Sequence, residues 1–437
     1  MKNKKIFVRV GIVLAAFILF SGFGCKTTSE KQAAEELEPV EIVIWSLWDE
    51  QEVFNPILNE YSKLYPNVKF DYRKFTFEEY EQAVVDALAS GKGPDIWLIH
   101  HTWLPRHIEK LSPMTEGKMS AFEYSDTFVD VAYNDFVVDN QIYGIPLSVD
   151  TLALYYNKDL FNTAALTGPP STWQEFKDDV RALANIDEFG DIQRAGAALG
   201  TSRNVNRAVD ILYLLMIQNG TEMTDENNTQ ALFNQSATAS DGEEYVPGKD
   251  ALVFYTDFAN PKKTIYTWNP TMPYSTDAFV EEKTAMMFNY SYQDEIIKGK
   301  APRMNYGIAP APQIQGSSKR YDFASYWGFV VANGSDNKEI AWDALTFLGK
   351  QENVKAYAET TKRPASRRDV LNEQLQDPDL KVFAEQALSA QSWYQADPGQ
   401  IEAIFSDMIE KVALGELEAE EALNDAVDRV SVLMRSN

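Results

Sequence analysis

Cysteine is nearly absent: Cys25 stands alone in 437 residues, so no disulfide closes within the chain and no set of thiolates can hold zinc. Histidine is almost as scarce. His100, His101 and His107 are the only three, and no His-Glu-x-x-His helix surrounds them. In an extended segment His100 and His101 point to opposite faces, which keeps them from sharing one metal. Basic residues are outnumbered, 40 against 65 acidic, for a net charge of −25. So acidic a body excludes nucleic acid and electrostatic docking on anionic lipid as partners. Nucleophile and phosphate motifs are missing too. There is no Gly-x-Ser-x-Gly elbow, and Gly91-Lys92-Gly93 lacks the remaining glycine and Ser/Thr of a phosphate loop. Segments 187–191 and 225–228 are acidic but lack the closing Glu of a calcium loop, which leaves turn chemistry as their role. With 65 carboxylates, pairs suited to glycoside hydrolysis are inevitable and carry no weight. No catalytic residue, metal or cofactor is expected.

Long apolar runs are also rare. The longest, residues 10–20 (VGIVLAAFILF), is short for a membrane span and follows a basic start, MKNKK. Small residues then lead to Gly24-Cys25, which resembles a bacterial lipobox, with Gly22 in place of the usual Leu. A signal peptide over 1–24, acylation of Cys25 and a polar tether over 25–39 are expected. The other reading is an uncleaved anchor helix over 6–23. Either one places the body outside the cytoplasmic membrane.

The body is rich in what a large core needs. It is 45% hydrophobic and 24% charged, with 9 Trp and 21 Tyr, and its length suits two lobes. Apolar alternation predicts strands over 40–45, 68–72 and 95–99, with amphipathic helices over 54–64 and 78–89 between them. That order is the signature of a parallel α/β layer. The pattern recurs after a break, with a strand over 152–156 expected to cross between lobes. Thr172 with Glu175 makes a capping box, and 208–220 is a strongly apolar helix. Residues 221–249 form a polar loop, 284–288 and 326–331 are further strands, and a long helical run covers 401–434.

Four segments, in order, resemble the extracellular solute-binding protein family 1, the sugar-binding lipoproteins of ABC importers that include maltodextrin-binding protein. They are Gly93-Pro94-Asp95-Ile96-Trp97; Tyr143-Gly144-Ile145-Pro146 with 154–161 and 170–173; 279–289; and Tyr326-Trp327-Gly328 leading to 337–342 and 363–370. The resemblance spans nearly the whole body. It implies an α/β, two-lobe periplasmic-binding-protein-like fold (type II) with crossing hinge strands and a ligand cleft between the lobes. Lobe one would be 40–150 with about 303–360, and lobe two 151–302 with part of 361–437. Implied partners are a mono- or oligosaccharide and an ABC permease, for a monomer held at the membrane by its lipid. A secreted glycan-degrading enzyme or glycan-binding adhesin is the alternative.

A neutral sugar offers flat C–H faces and hydroxyls, so its site needs aromatic rings beside Asp, Asn and Arg. Trp48 and Asp49 follow the first strand, at the edge where open α/β sheets bind ligands. His101, Thr102 and Trp103 hold the matching place after the strand ending at Ile99. In maltodextrin-binding protein that loop supplies an acid and a base where Thr102 and Trp103 stand here, which points away from a maltodextrin. By resemblance, Asp150 is an acidic ligand contact, Tyr292 a stacking ring and Asn289 a polar strand end. Tyr326, Trp327, Arg363 and Trp393 complete the candidates, whereas Trp97 and Trp342 are expected in the core.

Overall fold

The computed structural model describes residues 38–239 and 242–436. The expected export signal, Cys25 and most of the expected tether lie outside them. Among the described residues no helix is long and apolar enough to cross a membrane.

Strand Val40–Ser46 has a parallel neighbour on each side, Val68–Lys74 with Ile42 opposite Phe70, and Ile96–His100 with Trp45 opposite Trp97. Parallel neighbours need crossovers, and helices Gln51–Leu64 and Phe77–Ala89 provide them. The first buries Phe54, Ile57, Leu58 and Tyr61, a spacing that lays all four on one face. Ile96 to Ile99 are buried in succession, as in a strand covered on both sides. Trp327–Ala332 joins antiparallel to Ile96–His100, and Gly144–Pro146 pairs with it. Trp97 and Trp342 are fully buried in this first core.

A second core forms around strand Ala153–Asn157, flanked by Met286–Asn289 and Tyr306–Pro310. Both neighbours run antiparallel to it, where a parallel layer was expected. Helix Gln293–Lys300 carries the chain from one flanking strand to the other, leaving them parallel and one strand apart, and the earlier strand fills the gap in reverse. Helix Ala208–Gln218, apolar except at Asp210 and Gln218, runs through this core. The expected run over 401–434 is two helices, Pro398–Ala413 and Ala419–Ser436, separated by a turn in which Gly415 takes φ +69°.

Among the described residues the chain passes between the cores three times, and all three passages lie in one small sheet. Asp322–Ser325 is its centre, antiparallel to Asp150–Thr151 and parallel to Ala390–Gln391. Val149, Ala324 and Ala390 belong to the first core, and Leu152, Phe323 and Trp393 to the second. The crossing is therefore at Asp150–Thr151, one step before the strand expected to make it. Residues 306–311 pack in the second core, so the return to the first comes at Ala324 and not near 303. The fully buried Gln386 ties this sheet together, donating from Nε2 to Thr151 Oγ1 (2.9 Å) and the Leu152 carbonyl (2.8 Å).

Local signals behave as their chemistry requires. Thr172 Oγ1 accepts from the Glu175 amide at 3.2 Å while Glu175 reaches back to the Thr172 amide, also at 3.2 Å. Thr172→Ala should cost about 1 kcal/mol of stability in urea denaturation, and Thr172→Ser close to nothing. The acidic segments are turns: Asp187 accepts from the amides of Phe189 and Asp191, and Asp225 from those of Thr229 and Gln230.

Candidate functional site

A cavity of about 520 Å³ lies where the two cores face each other across the crossing sheet. Its first wall begins just past strand Val40–Ser46. The Asp49 amide donates to the Leu47 carbonyl at 2.6 Å, a tight turn that holds Trp48 at φ +62°, in the left-handed region that favours glycine. The turn leaves the Trp48 ring 47% exposed. It stacks on Phe77 (5.6 Å between centroids, 24°) and meets Trp327 edge-on at 5.9 Å. Trp327 is braced from behind by Trp103 at 5.0 Å and His100 at 5.2 Å. Rings at the mouth thus rest on rings in the core, a platform set before any ligand arrives.

Beside the platform, Asp49 Oδ2 accepts from Arg363 Nη1 and Tyr357 Oη, each at 2.8 Å, and those two groups are 2.7 Å apart. Tyr72 adds a hydrogen bond to the Asp49 carbonyl at 2.7 Å. Arg363 lies past helix Gln351–Thr361, so the triangle draws on opposite ends of the first core's sequence.

Asp150 sits in the crossing sheet. It accepts from the Ser291 hydroxyl (2.7 Å), the Ser291 amide (3.0 Å) and the Thr151 amide (2.8 Å). Burial pushes its carboxyl up to about 6, the Ser291 and Thr151 hydrogen bonds and the Arg363 charge pulling the other way. Ser325 also faces the cavity, and its hydroxyl is 3.0 Å from His100 Nε2, whose other nitrogen meets Thr102 Oγ1 at 2.7 Å. Burial above all, with His101 and Arg207 nearby, keeps His100 well below its usual value.

The opposite wall comes from the second core. Tyr290 and Tyr292 follow strand Met286–Asn289 with rings 6.4 Å apart and 26° from parallel. Arg207, at φ +62° before helix Ala208–Gln218, extends its guanidinium over both rings, 5.3 Å and 5.7 Å from their centroids. Its Nη2 and Nε donate to Tyr292 Oη at 3.0 and 3.2 Å.

Of the residues expected from the sequence, Trp48, Asp49, Asp150, Tyr292, Tyr326, Trp327 and Arg363 line this cavity. Tyr326 does so with its hydroxyl turned away, donating to Asp135 at 2.6 Å. The other five stand behind the walls. His101 is buried, stacked on Tyr326 at 4.6 Å with Nδ1 2.9 Å from Asp135. Thr102 and Trp103 are buried beneath the platform, since the chain after Ile96–His100 turns inward as a short 3₁₀ turn. Asn289 is fully buried and donates to Asn206 Oδ1 at 3.1 Å, and Trp393 packs on Tyr213 in the second core. Arg207, Tyr290, Ser325 and Tyr357 were not anticipated.

Residues 47–355 match the family described as bacterial extracellular solute-binding protein. The galactooligosaccharide-binding protein of Bacillus subtilis is 22% identical over 431 residues, covering 95% of this chain and 94% of that protein. The maltodextrin-binding protein of the same bacterium is 24% identical over 361 residues, 80% of this chain and 78% of its own. The cyclic α-maltosyl-1,6-maltose binding protein of Arthrobacter globiformis superposes with a TM-score of 0.76 at 19% identity, over 91% of this chain and all of that one. The fold is thus the two-lobe α/β type of the periplasmic binding proteins.

Proposed function

The chain belongs to the bacterial extracellular solute-binding protein family, and from that premise we propose that it captures a mono- or oligosaccharide between its lobes and hands it to an ABC permease. The observation that carries this is the pairing of an open aromatic platform, Trp48 with Trp327, with polar groups already held by partners, Asp49–Tyr357–Arg363 and Asp150. Sugar C–H faces stack on such rings, and hydroxyls bond best to groups that need no reorganisation. The three short strands between the cores are the natural hinge, and closing it would exclude water and strengthen every polar contact inside. The sugars named for the two Bacillus subtilis relatives, galactooligosaccharide and maltodextrin, agree with this class. Binding without turnover, an extracytoplasmic location, a lipid on Cys25 and a monomeric state belong to the same proposal.

Intrinsic fluorescence tests it, because Trp48 and Trp327 sit on the platform. Titration with a panel of neutral and acidic mono- and oligosaccharides should give a saturable change for at least one, with the sugar recovered intact. A response to peptides or polyamines alone would overturn the proposal, and so would turnover of the sugar.

Asp150 should make that binding depend on pH. Ligand hydroxyls donate to the ionised carboxylate and lower its pKa below the free value of about 6. Affinity is then full above that value and weakens as pH falls through it, by up to about tenfold near pH 5. Asp150→Asn should flatten the profile measured by calorimetry. In the ligand-free protein the sign is reversed: ionising Asp150 costs stability, so its contribution is full at low pH and is lost as pH rises through about 6.

A further inference from the structure

Among the described residues four charged side chains line the cavity, and three of them have their charge met by close partners. Arg363 and Asp49 neutralise each other at 2.8 Å. Asp150 is surrounded by donors from Ser291 and Thr151. Arg207 differs. The nearest carboxylate, Asp210, is 4.0 Å from Nη1, beyond hydrogen-bond reach, and already accepts from Tyr290 Oη at 2.8 Å. Among the described residues the only acceptor bound to the Arg207 guanidinium is a neutral phenol, Tyr292 Oη. A guanidinium has five N–H donors, so its Nη1 edge has unused capacity. Its place is costly as well, since a non-glycine residue at φ +62° is strained, no side-chain helix cap accompanies it, and its ion pair with Asp210 is a long one at 4.0 Å. A planar, permanently charged fork at the wall of a ligand cavity matches a carboxylate better than a hydroxyl.

We infer that the ligand is an acidic carbohydrate, a uronic acid or an oligosaccharide containing one, whose carboxylate is taken by Arg207 while a ring of the sugar lies on the Trp48–Trp327 platform. This rests on the carbohydrate assignment and narrows it. Tyr292 acts as the brace, holding Nε and Nη2 and leaving Nη1 without a hydrogen bond among the described residues.

The test compares matched pairs by calorimetry: glucuronate with glucose, galacturonate with galactose, and the corresponding disaccharides. At least one acidic member should bind about 10- to 100-fold tighter than its neutral partner, with affinity falling as salt rises. Arg207→Gly suits the left-handed backbone and so should fold; it should erase the preference, so that the acidic and neutral members of each pair bind alike. Arg207→Lys, charged but without the fork, should fall between. Neutral sugars binding as tightly as their acidic partners would overturn the inference and leave the carbohydrate assignment standing. If no member of either set bound at millimolar concentration, the assignment itself would fall and this inference with it.

Discussion

Trp48→Gly should abolish measurable sugar binding while leaving the protein as stable as before. The ring supplies about half of an open stacking surface, and removing an aromatic anchor of that kind costs about 2–4 kcal/mol, or roughly 30- to 1,000-fold in Kd. The stability side is less usual. Truncating a tryptophan generally loses buried contacts, but this ring is 47% exposed and its backbone is held at φ +62°. Glycine relieves that strain, worth about 1 kcal/mol, which offsets the lost contacts with Phe77 and Trp327. Calorimetric binding and urea denaturation of one purified variant read both quantities. A Tm drop of many degrees would mean that Trp48 is a structural residue, and the platform would lose its claim to be a site.

Asp49→Ala should be far more damaging to the fold. It removes the shared acceptor of Arg363 and Tyr357, leaving a guanidinium and a phenol facing each other 2.7 Å apart. Breaking a fully buried pair from one side costs about 3–5 kcal/mol. Arg363 keeps 27% of its side chain exposed, so water recovers part of that and about 2–3 kcal/mol is expected. The double replacement Asp49→Ala with Arg363→Met removes the orphaned charge and should be less destabilised than Asp49→Ala alone. That reversal in a double-mutant cycle is specific to a pair held by charge. Both variants should lose ligand affinity, because the triangle lines the cavity.

How much of this could be read beforehand follows from where periodicity speaks. Parallel strands and their crossover helices leave strong periods, and the strand at 40–46 located Trp48 and Asp49 because ligands gather past the C-terminal ends of such strands. Where the chain turns out of regular structure the signal stops. His101, Thr102 and Trp103 stand at an equivalent edge, yet the chain there folds back under the platform, and nothing in their residue types announces that. Asn289 and Tyr290 illustrate a phase error. Adjacent residues at a strand end face opposite sides, and here the polar one is buried against Asn206 while the aromatic one lines the cavity. Arg207 stands in an irregular stretch before its helix, where no period exists to place it. Its one advance mark was a lone Arg at the start of a strongly apolar helix, the end of the helix dipole where a cation is disfavoured. Tyr357 lies in helix Gln351–Thr361 and is mostly buried; its hydroxyl joins the site because Arg363 and Asp49 come to it.

A crystal structure with the tightest-binding sugar from the panel is the most direct test of the central claim. The expected result is a sugar ring lying flat on Trp48 or Trp327, with hydroxyls bonded to the Asp49–Arg363 pair or Asp150 and the Arg207 wall drawn up against its other side. A sugar seated elsewhere on the molecule, or one held in the cavity without touching either tryptophan, would contradict the account.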